Sequence, residues 1–364
     1  MSSRIPTTPL GHLRRAFRDG RLTLFLGAGC SVESGIPTWP QLVTTLYMNG
    51  VSRRLRRYSR IREFVPSVTQ WAFERNVVPL EVAARGLNTY FLTDADFVNM
   101  IQIALYNPTG FYGFDRRPRE IRKLLAKNKT LNGIAQLCRH TILGTRGVQS
   151  VVTYNYDDLL ERMLDPSRCS PVWKGIPLRS NKLPIYHVHG FIPFGKSSGS
   201  RLDEIVLSED QYHRAAQDPY SWSNLVQMQA LSESVGLMIG LSLTDWNLRR
   251  ILDNVRSLPR RSQSYALLKR IGPWKVDDKD IDAIVETMKR RIPMFYRLDA
   301  QNAMAAIERP AIRKLIRNAI RRLSTLDLKR EELVLADLGV TVIWYDHHDD
   351  IVEMLKSVST ASHR

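Results

Sequence analysis

Four short segments of this chain carry residue types that can do chemistry together. The first is Gly27-Ala28-Gly29-Cys30-Ser31, continuing to Gly35-Ile36-Pro37. Its small residues let the backbone come close to a ligand, and amides at such a turn can cradle phosphate. The second, Thr153-Tyr154-Asn155-Tyr156-Asp157, sets a carboxamide and a carboxylate two residues apart. On an extended segment both side chains then point the same way. The third, His187-Val188-His189-Gly190, offers His189, an imidazole whose ordinary pKa of about 6.5 suits a general base. The fourth, Gly240-Leu241-Ser242 followed by Asp245 and Asn247, combines a close backbone approach with polar groups. Tyr345 and Asp346 add an aromatic ring and an acid at the end of a later apolar run.

The spacing excludes two common nucleotide sites. Val32 stands where a hydride-transfer dinucleotide site has its third glycine, and no Asp or Glu occurs between Glu33 and Glu63 to hold a ribose. The lysine of a phosphate-binding P-loop is absent too. Taken singly, each segment has a plainer reading. The glycines suit a tight structural turn, Asn155 a helix cap, and His189 a turn before Gly190. Thr244 or Asp245 suits a helix N-cap, a role that can coexist with ligand contact. His187 shares a strand face with His189, but no third ligand has suitable local spacing for a metal, so His187 reads as structural.

Several of these segments follow short apolar runs that read as strands: Arg21–Leu26, Val148–Thr153, Pro184–Val188, Val235–Gly240, Ser264–Leu268 and Val340–Trp344. Near-continuous apolar strands separated by long helix-compatible stretches call for an α/β fold, a Rossmann-like parallel sheet with helices on both faces. Such sheets bind ligands in the crevice beyond the carboxyl ends of their strands, where these motifs fall. A basic helix is expected over Leu10–Asp19. Two helical insertions are expected in a domain spanning 1–364, one over about 40–147 and one over about 273–335. The loop Gly195–Ser200 is flexible by composition.

With 364 residues and 43% hydrophobic content the chain can bury a sizeable core. No apolar run is long enough to span a membrane, and Met1–Asp19 lacks the apolar region of a signal peptide, so a cytoplasmic protein is expected. Cys30, Cys138 and Cys169 are too scattered for a disulfide framework or a paired-cysteine zinc site. The net charge of +17 is concentrated in arginine runs at Arg53–Arg62, Arg249–Arg261 and Arg309–Arg330. These suit a nucleic acid or acidic protein, or equally solvated helix faces.

The ordered set of motifs resembles the Sir2 (sirtuin) family. The carriers are GAGxSxxxGIP from Gly27 to Pro37, TYNYD at Thr153–Asp157, HVHG at His187–Gly190 and GLS at Gly240–Ser242, with Tyr345 and Asp346 extending the likeness. The resemblance implies NAD bound by Gly27, Ala28, Gly29, Ser31, Ile36, Pro37, Asp157, Gly240, Ser242, Asp245, Asn247, Tyr345 and Asp346. It also implies Asn155 orienting a water or the ribose hydroxyls, and His189 as general base. Cleavage of the nicotinamide glycosidic bond leaves positive charge on the ribose, so dipoles, a positioned nucleophile and a base fit that chemistry.

The missing paired cysteines, Ile205–Tyr212 and Gly240–Asn247 are similar to the zinc-less branch found in bacterial anti-phage defence. That likeness implies NAD+ as a substrate hydrolysed to nicotinamide and ADP-ribose, no zinc, and a gated, NAD-depleting effector. It further implies a homo-oligomer, or a partner such as a HerA-type ATPase or an Argonaute. The alternatives are a protein deacylase or ADP-ribosyltransferase, disfavoured by the cysteines, and an idle nucleotide sensor, disfavoured by Asn155 with His189.

Overall fold

The computed structural model describes residues 8–55, 57–106, 118–142, 144–175, 181–195, 199–258, 262–270, 276–295 and 310–360. Arg56, Arg260, Arg261 and Arg309 of the basic runs, and residues 196–198 of the flexible loop, lie outside them.

A seven-stranded sheet organises the larger of two compact units, residues 1–268 with 338–364. Its strands are β1 (Leu22–Leu26), β4 (Val148–Thr153), β5 (Cys169–Val172), β6 (Leu183–His187), β7 (Val235–Ile239), β8 (Ser264–Lys269) and β9 (Val340–Tyr345). The spatial order is β5-β6-β4-β1-β7-β8-β9. β1 pairs in parallel with β4 on one side and β7 on the other. A strand flanked on both edges and covered on both faces has no polar side, which is why every residue of β1 and of β7 is buried. Thr23 is the exception that proves satisfiable: its hydroxyl bonds the Ser150 hydroxyl of β4 at 3.0 Å inside the core. The chain leaves β1 toward β4 and returns through β7 on the opposite side, and this reversal opens a crevice at the carboxyl ends of all three strands.

The α/β sheet expected from the apolar runs is present, with helices around it. The predicted N-terminal helix forms over Pro9–Arg18, capped by the Thr8 side chain. Two departures have local causes. β5 carries Pro171, which argues against a strand in sequence, yet β5 is the sheet edge, where a missing N–H costs nothing on the open side. A short antiparallel pair, β2 (Thr141–Ile142) with β3 (Thr145–Arg146), interrupts the otherwise helical stretch before β4, turning at Gly144 with φ +80°. Helices between β1 and β4 run over Trp39–Arg54, Ser59–Arg62, Val65–Glu74, Leu80–Arg85, Asp94–Tyr106, Pro118–Lys127 and Lys129–Arg139.

The second unit, Lys269–Asp337, contains the helices Asp278–Phe295 and Pro310–Asp337. It has its own small core of Ile281, Ile316 and Ile320. Arg313 and Arg317 pair there with Asp282 and Asp278, so part of that basic run is spent on joining the two helices.

Candidate active site

The glycines at the ends of β1 and β7 are there for each other. A Cβ on Gly27 would sit 2.5 Å from the Gly240 carbonyl oxygen, and one on Gly29 2.8 Å from the Gly240 Cα. Gly240 itself has φ +68°, and its Cβ would lie 2.5 Å from the Cys30 nitrogen. The two strand ends are also bonded directly, with the Gly27 amide donating to Ile239 and the Gly29 amide to Gly240, both at 3.0 Å. The Cys30 and Ser31 amides donate back to Gly27 and Ala28. Four of the amides in this turn are thus used inside the chain, a larger structural share than the phosphate-cradle reading assigns them.

Gly240→Ala combines left-handed strain with overlap onto the Cys30 backbone. It is expected to cost at least ~2 kcal/mol of stability, measured by urea unfolding. A variant as stable as the wild type would contradict the close approach.

The turn runs on as two short 3-10 segments, Ala28–Cys30 and Val32–Ser34, closed by Gly35 at φ +75°. Asn128, fully buried, pins it from outside: its Nδ2 donates to the Cys30 carbonyl at 2.8 Å and to the Ser34 hydroxyl at 2.9 Å. Its Oδ1 caps the helix Lys129–Arg139 by accepting from the Leu131 amide at 2.8 Å. The sequence reading overlooked Asn128, although an Asn ahead of an apolar helical pattern is a usable N-cap signal.

Asn155 is where turn and β4 meet. Its Nδ2 donates to the Gly27 carbonyl at 3.0 Å and to the Ser31 hydroxyl at 3.2 Å. That leaves Oδ1 as the group able to accept from a water or a sugar hydroxyl. Asp157 lies beneath, buried. One carboxylate oxygen accepts from the Leu159 amide at 3.1 Å, while Oδ2 has no hydrogen-bond partner among the described residues. Burial pushes its carboxyl up to about 6, with the Leu159 amide and the Ser31 hydroxyl pulling back and Glu161 adding to the rise. Ser31, Asn155 and Asp157 line one small cavity of about 10 Å³ together with Thr153, Glu161 and His187. That is room for about one ordered water.

His189 stands in an aromatic box, edge-on to Tyr154 at 5.0 Å and to Tyr212 at 5.3 Å. Its Nε2 is buried with no hydrogen-bond partner among the described residues. The Asp245 carboxylate lies 3.9 Å away, too far for a hydrogen bond. Burial disfavours the imidazolium and lowers the pKa below its ordinary value, with Asp245 acting in the opposite sense. Tyr154 is held in turn by donating to Gln227 at 2.6 Å.

Asp245 does cap the helix Trp246–Arg256, accepting from Leu248 at 2.8 Å, while its other oxygen faces His189. Thr244 instead bonds the exposed Ser242 hydroxyl at 2.7 Å. Asn247 is buried and accepts from Arg250 at 2.8 Å, and Arg249 donates to the Leu243 carbonyl. Leu243 has φ +56°, a strained position for a branched side chain. Arg249 thus ties its helix to the loop after β7, while Arg250 bonds within the helix itself, which accounts for the start of the second basic run. At the far side, Tyr345 is buried in the same core cluster as Cys30, and Asp346 and His347 amides both donate to Asp350 at the start of the last helix. Ile36 is buried in the core and Pro37 half-buried beside it. Tyr106 was outside any motif, yet its hydroxyl joins the Ile192 carbonyl and Asp158 behind Asp157.

Residues 149–292 match the family model described as a SIR2-like domain. A segment of this chain is therefore similar to a SIR2-like domain. The match takes in Asn155, Asp157, His189, Gly240, Asp245 and Asn247, and the glycine turn and Tyr345 lie outside it. NAD(+) hydrolase ThsA of Enterococcus faecium is 23% identical over 264 residues, which is 70% of this chain and 45% of that protein. The chain thus spans less than half the length of that relative. Among the described residues no group of three or more His, Cys, Asp or Glu is placed to hold a metal, and no helix is long and apolar enough to cross a membrane.

Proposed function

We propose that this SIR2-like protein hydrolyses NAD+ at the bond between nicotinamide and ribose, giving nicotinamide and ADP-ribose. The observation that carries the reading is a set of uncommitted polar atoms near the strand ends: Asn155 at the glycine turn with only its Nδ2 engaged, and Asp157 Oδ2 and His189 Nε2 buried with no hydrogen-bond partner among the described residues. Buried polar atoms left unpaired at a strand-end crevice are groups awaiting a ligand. Asp157 Oδ2 would accept from the nicotinamide carboxamide and Asn155 Oδ1 from a ribose hydroxyl or the attacking water. The glycosidic electron pair leaves with neutral nicotinamide. Water forms the new bond to the ribose C1, and its proton passes to neutral His189.

Ala28, Ile36, Pro37, Gly240, Ser242, Asn247, Tyr345 and Asp346 would complete the dinucleotide cleft. The likeness to defence proteins supports a cytoplasmic, gated, NAD-depleting antiviral effector that works as a homo-oligomer or with a HerA-type ATPase or an Argonaute. The helical stretches 40–147 and 273–335 are the candidate docking segments.

Chromatography of NAD+ incubated with the purified protein, alone and with candidate partners, tests this. Asn155→Ala should lower the rate by about 10²–10³-fold. NAD+ left intact in every condition would sink the reading, and acetyl-lysine peptide consumed in step with NAD+ would replace it with deacylation.

A further inference from the structure

Beneath Asn155 lies a buried pair that the reaction above does not use. His187, 1% exposed, directs both ring nitrogens at acceptors: Nδ1 to the Asn155 carbonyl at 3.0 Å and Nε2 to Glu161 Oε1 at 2.7 Å. A carbonyl can only accept, so Nδ1 must carry a proton for that bond to exist. The 2.7 Å contact to a carboxylate is in the range of a charge-assisted bond. Register explains the reach: His187 pairs with Thr153 on β4, so its ring extends forward under the residue two positions on. Glu161 comes from the helix Leu159–Leu164, which starts directly after Asp157. The groups facing the imidazole are Glu161, the Asp157 carboxylate and the Phe191 ring, with the Cys169 thiol near Glu161.

We propose that Glu161 and His187 are positioning residues: the pair grips the Asn155 backbone from below, so that the side chain, tied to Gly27 and Ser31 above, presents Oδ1 at one fixed place. This rests on the NAD+ hydrolysis reading, in which Asn155 touches substrate and the pair does not. Burial by itself disfavours a charged His187, and Glu161, by charge and hydrogen bond, outweighs it, so the pKa is raised. That direction is the one a doubly donating ring requires. A structural histidine filling space would need only one of these bonds.

Two readouts separate positioning from packing. In ¹⁵N-histidine-labelled protein without substrate, the His187 ring is expected to show both nitrogens protonated at pH 7. In Glu161→Gln only Nδ1 should be protonated, because the Gln amide can donate to Nε2 and leave Nδ1–H on Asn155. In kinetics, His187→Asn is expected to lower kcat for NAD+ by about 10²-fold with KM nearly unchanged, since a displaced Oδ1 is felt in the transition state. Glu161→Gln should stay within about threefold of wild-type kcat while Glu161→Ala falls with His187→Asn. An unprotonated Nδ1 in the wild type, or folded His187→Asn with wild-type kcat, overturns the proposal. A wild type that cleaves no NAD+ removes the reaction the role serves, and the ring-nitrogen signature, read without substrate, tells that failure from an absent pair.

Discussion

Replacing His189 with alanine is expected to lower kcat for NAD+ cleavage by about 10²–10⁴-fold, the range for loss of a general base. Nε2 has no hydrogen-bond partner among the described residues, so the variant gives up no bond through that atom. His189→Phe refills the space between Tyr154 and Tyr212 with an apolar ring. It should therefore be equally slow but no less stable than the wild type. Initial rates of nicotinamide release, taken with urea midpoints, check both halves. Full activity in either variant would remove His189 from the proton path.

The second large effect concerns stability and its pH dependence. The Asp157 carboxyl is pushed from its ordinary 3.8 up to about 6 by burial. A buried acid with a raised pKa favours the folded state in its protonated form. The cost of the anion is absent below the unfolded value, grows as pH rises between about 4 and 6, and is complete above that. Asp157→Asn keeps an acceptor for the Leu159 amide and removes the buried charge. It should be more stable than wild type by ~3 kcal/mol at pH 8, from about two pKa units at 1.36 kcal/mol each, and by almost nothing at pH 4. NAD+ cleavage should fall at the same time, since the amide no longer offers a charged acceptor, a stability gained against function. Urea unfolding of both proteins at pH 4, 6 and 8 measures the gap. A gap that stays constant with pH would show that the carboxylate is not carrying a burial cost.

How far the sequence could be read depends on which residues announce their partners. β1 and β7 were legible because a strand covered on both faces is buried along its whole length, and β4 and β6 because short apolar runs precede their motifs. β5 was hidden by Pro171, whose tolerance depends on being at an edge, a fact of tertiary arrangement. The glycine turn, Gly240 and Asn155 meet because they follow the ends of adjacent strands. What the glycines do there was only half legible. A glycine signals close approach without saying to what, and here Gly27, Gly29 and Gly240 approach each other. Arg249 and Arg250 looked like surface charge in the run Arg249–Arg261, yet they bond Leu243 and Asn247. Tyr106 gave no signal at all, since its partners Asp158 and Ile192 lie 52 and 86 residues away.

The way Asn155 spends its amide has one more consequence. With Nδ2 committed to Gly27 and Ser31, the groups it and Asp157 leave open are lone pairs on oxygen. A pocket floor made of lone pairs welcomes hydroxyl and amide hydrogens and repels anionic oxygen. It would sort the two ends of a dinucleotide by polarity: the sugar and its carboxamide-bearing base are drawn inward, and the phosphates are kept away from the floor. Orientation of the substrate would then be decided before any group is placed for catalysis.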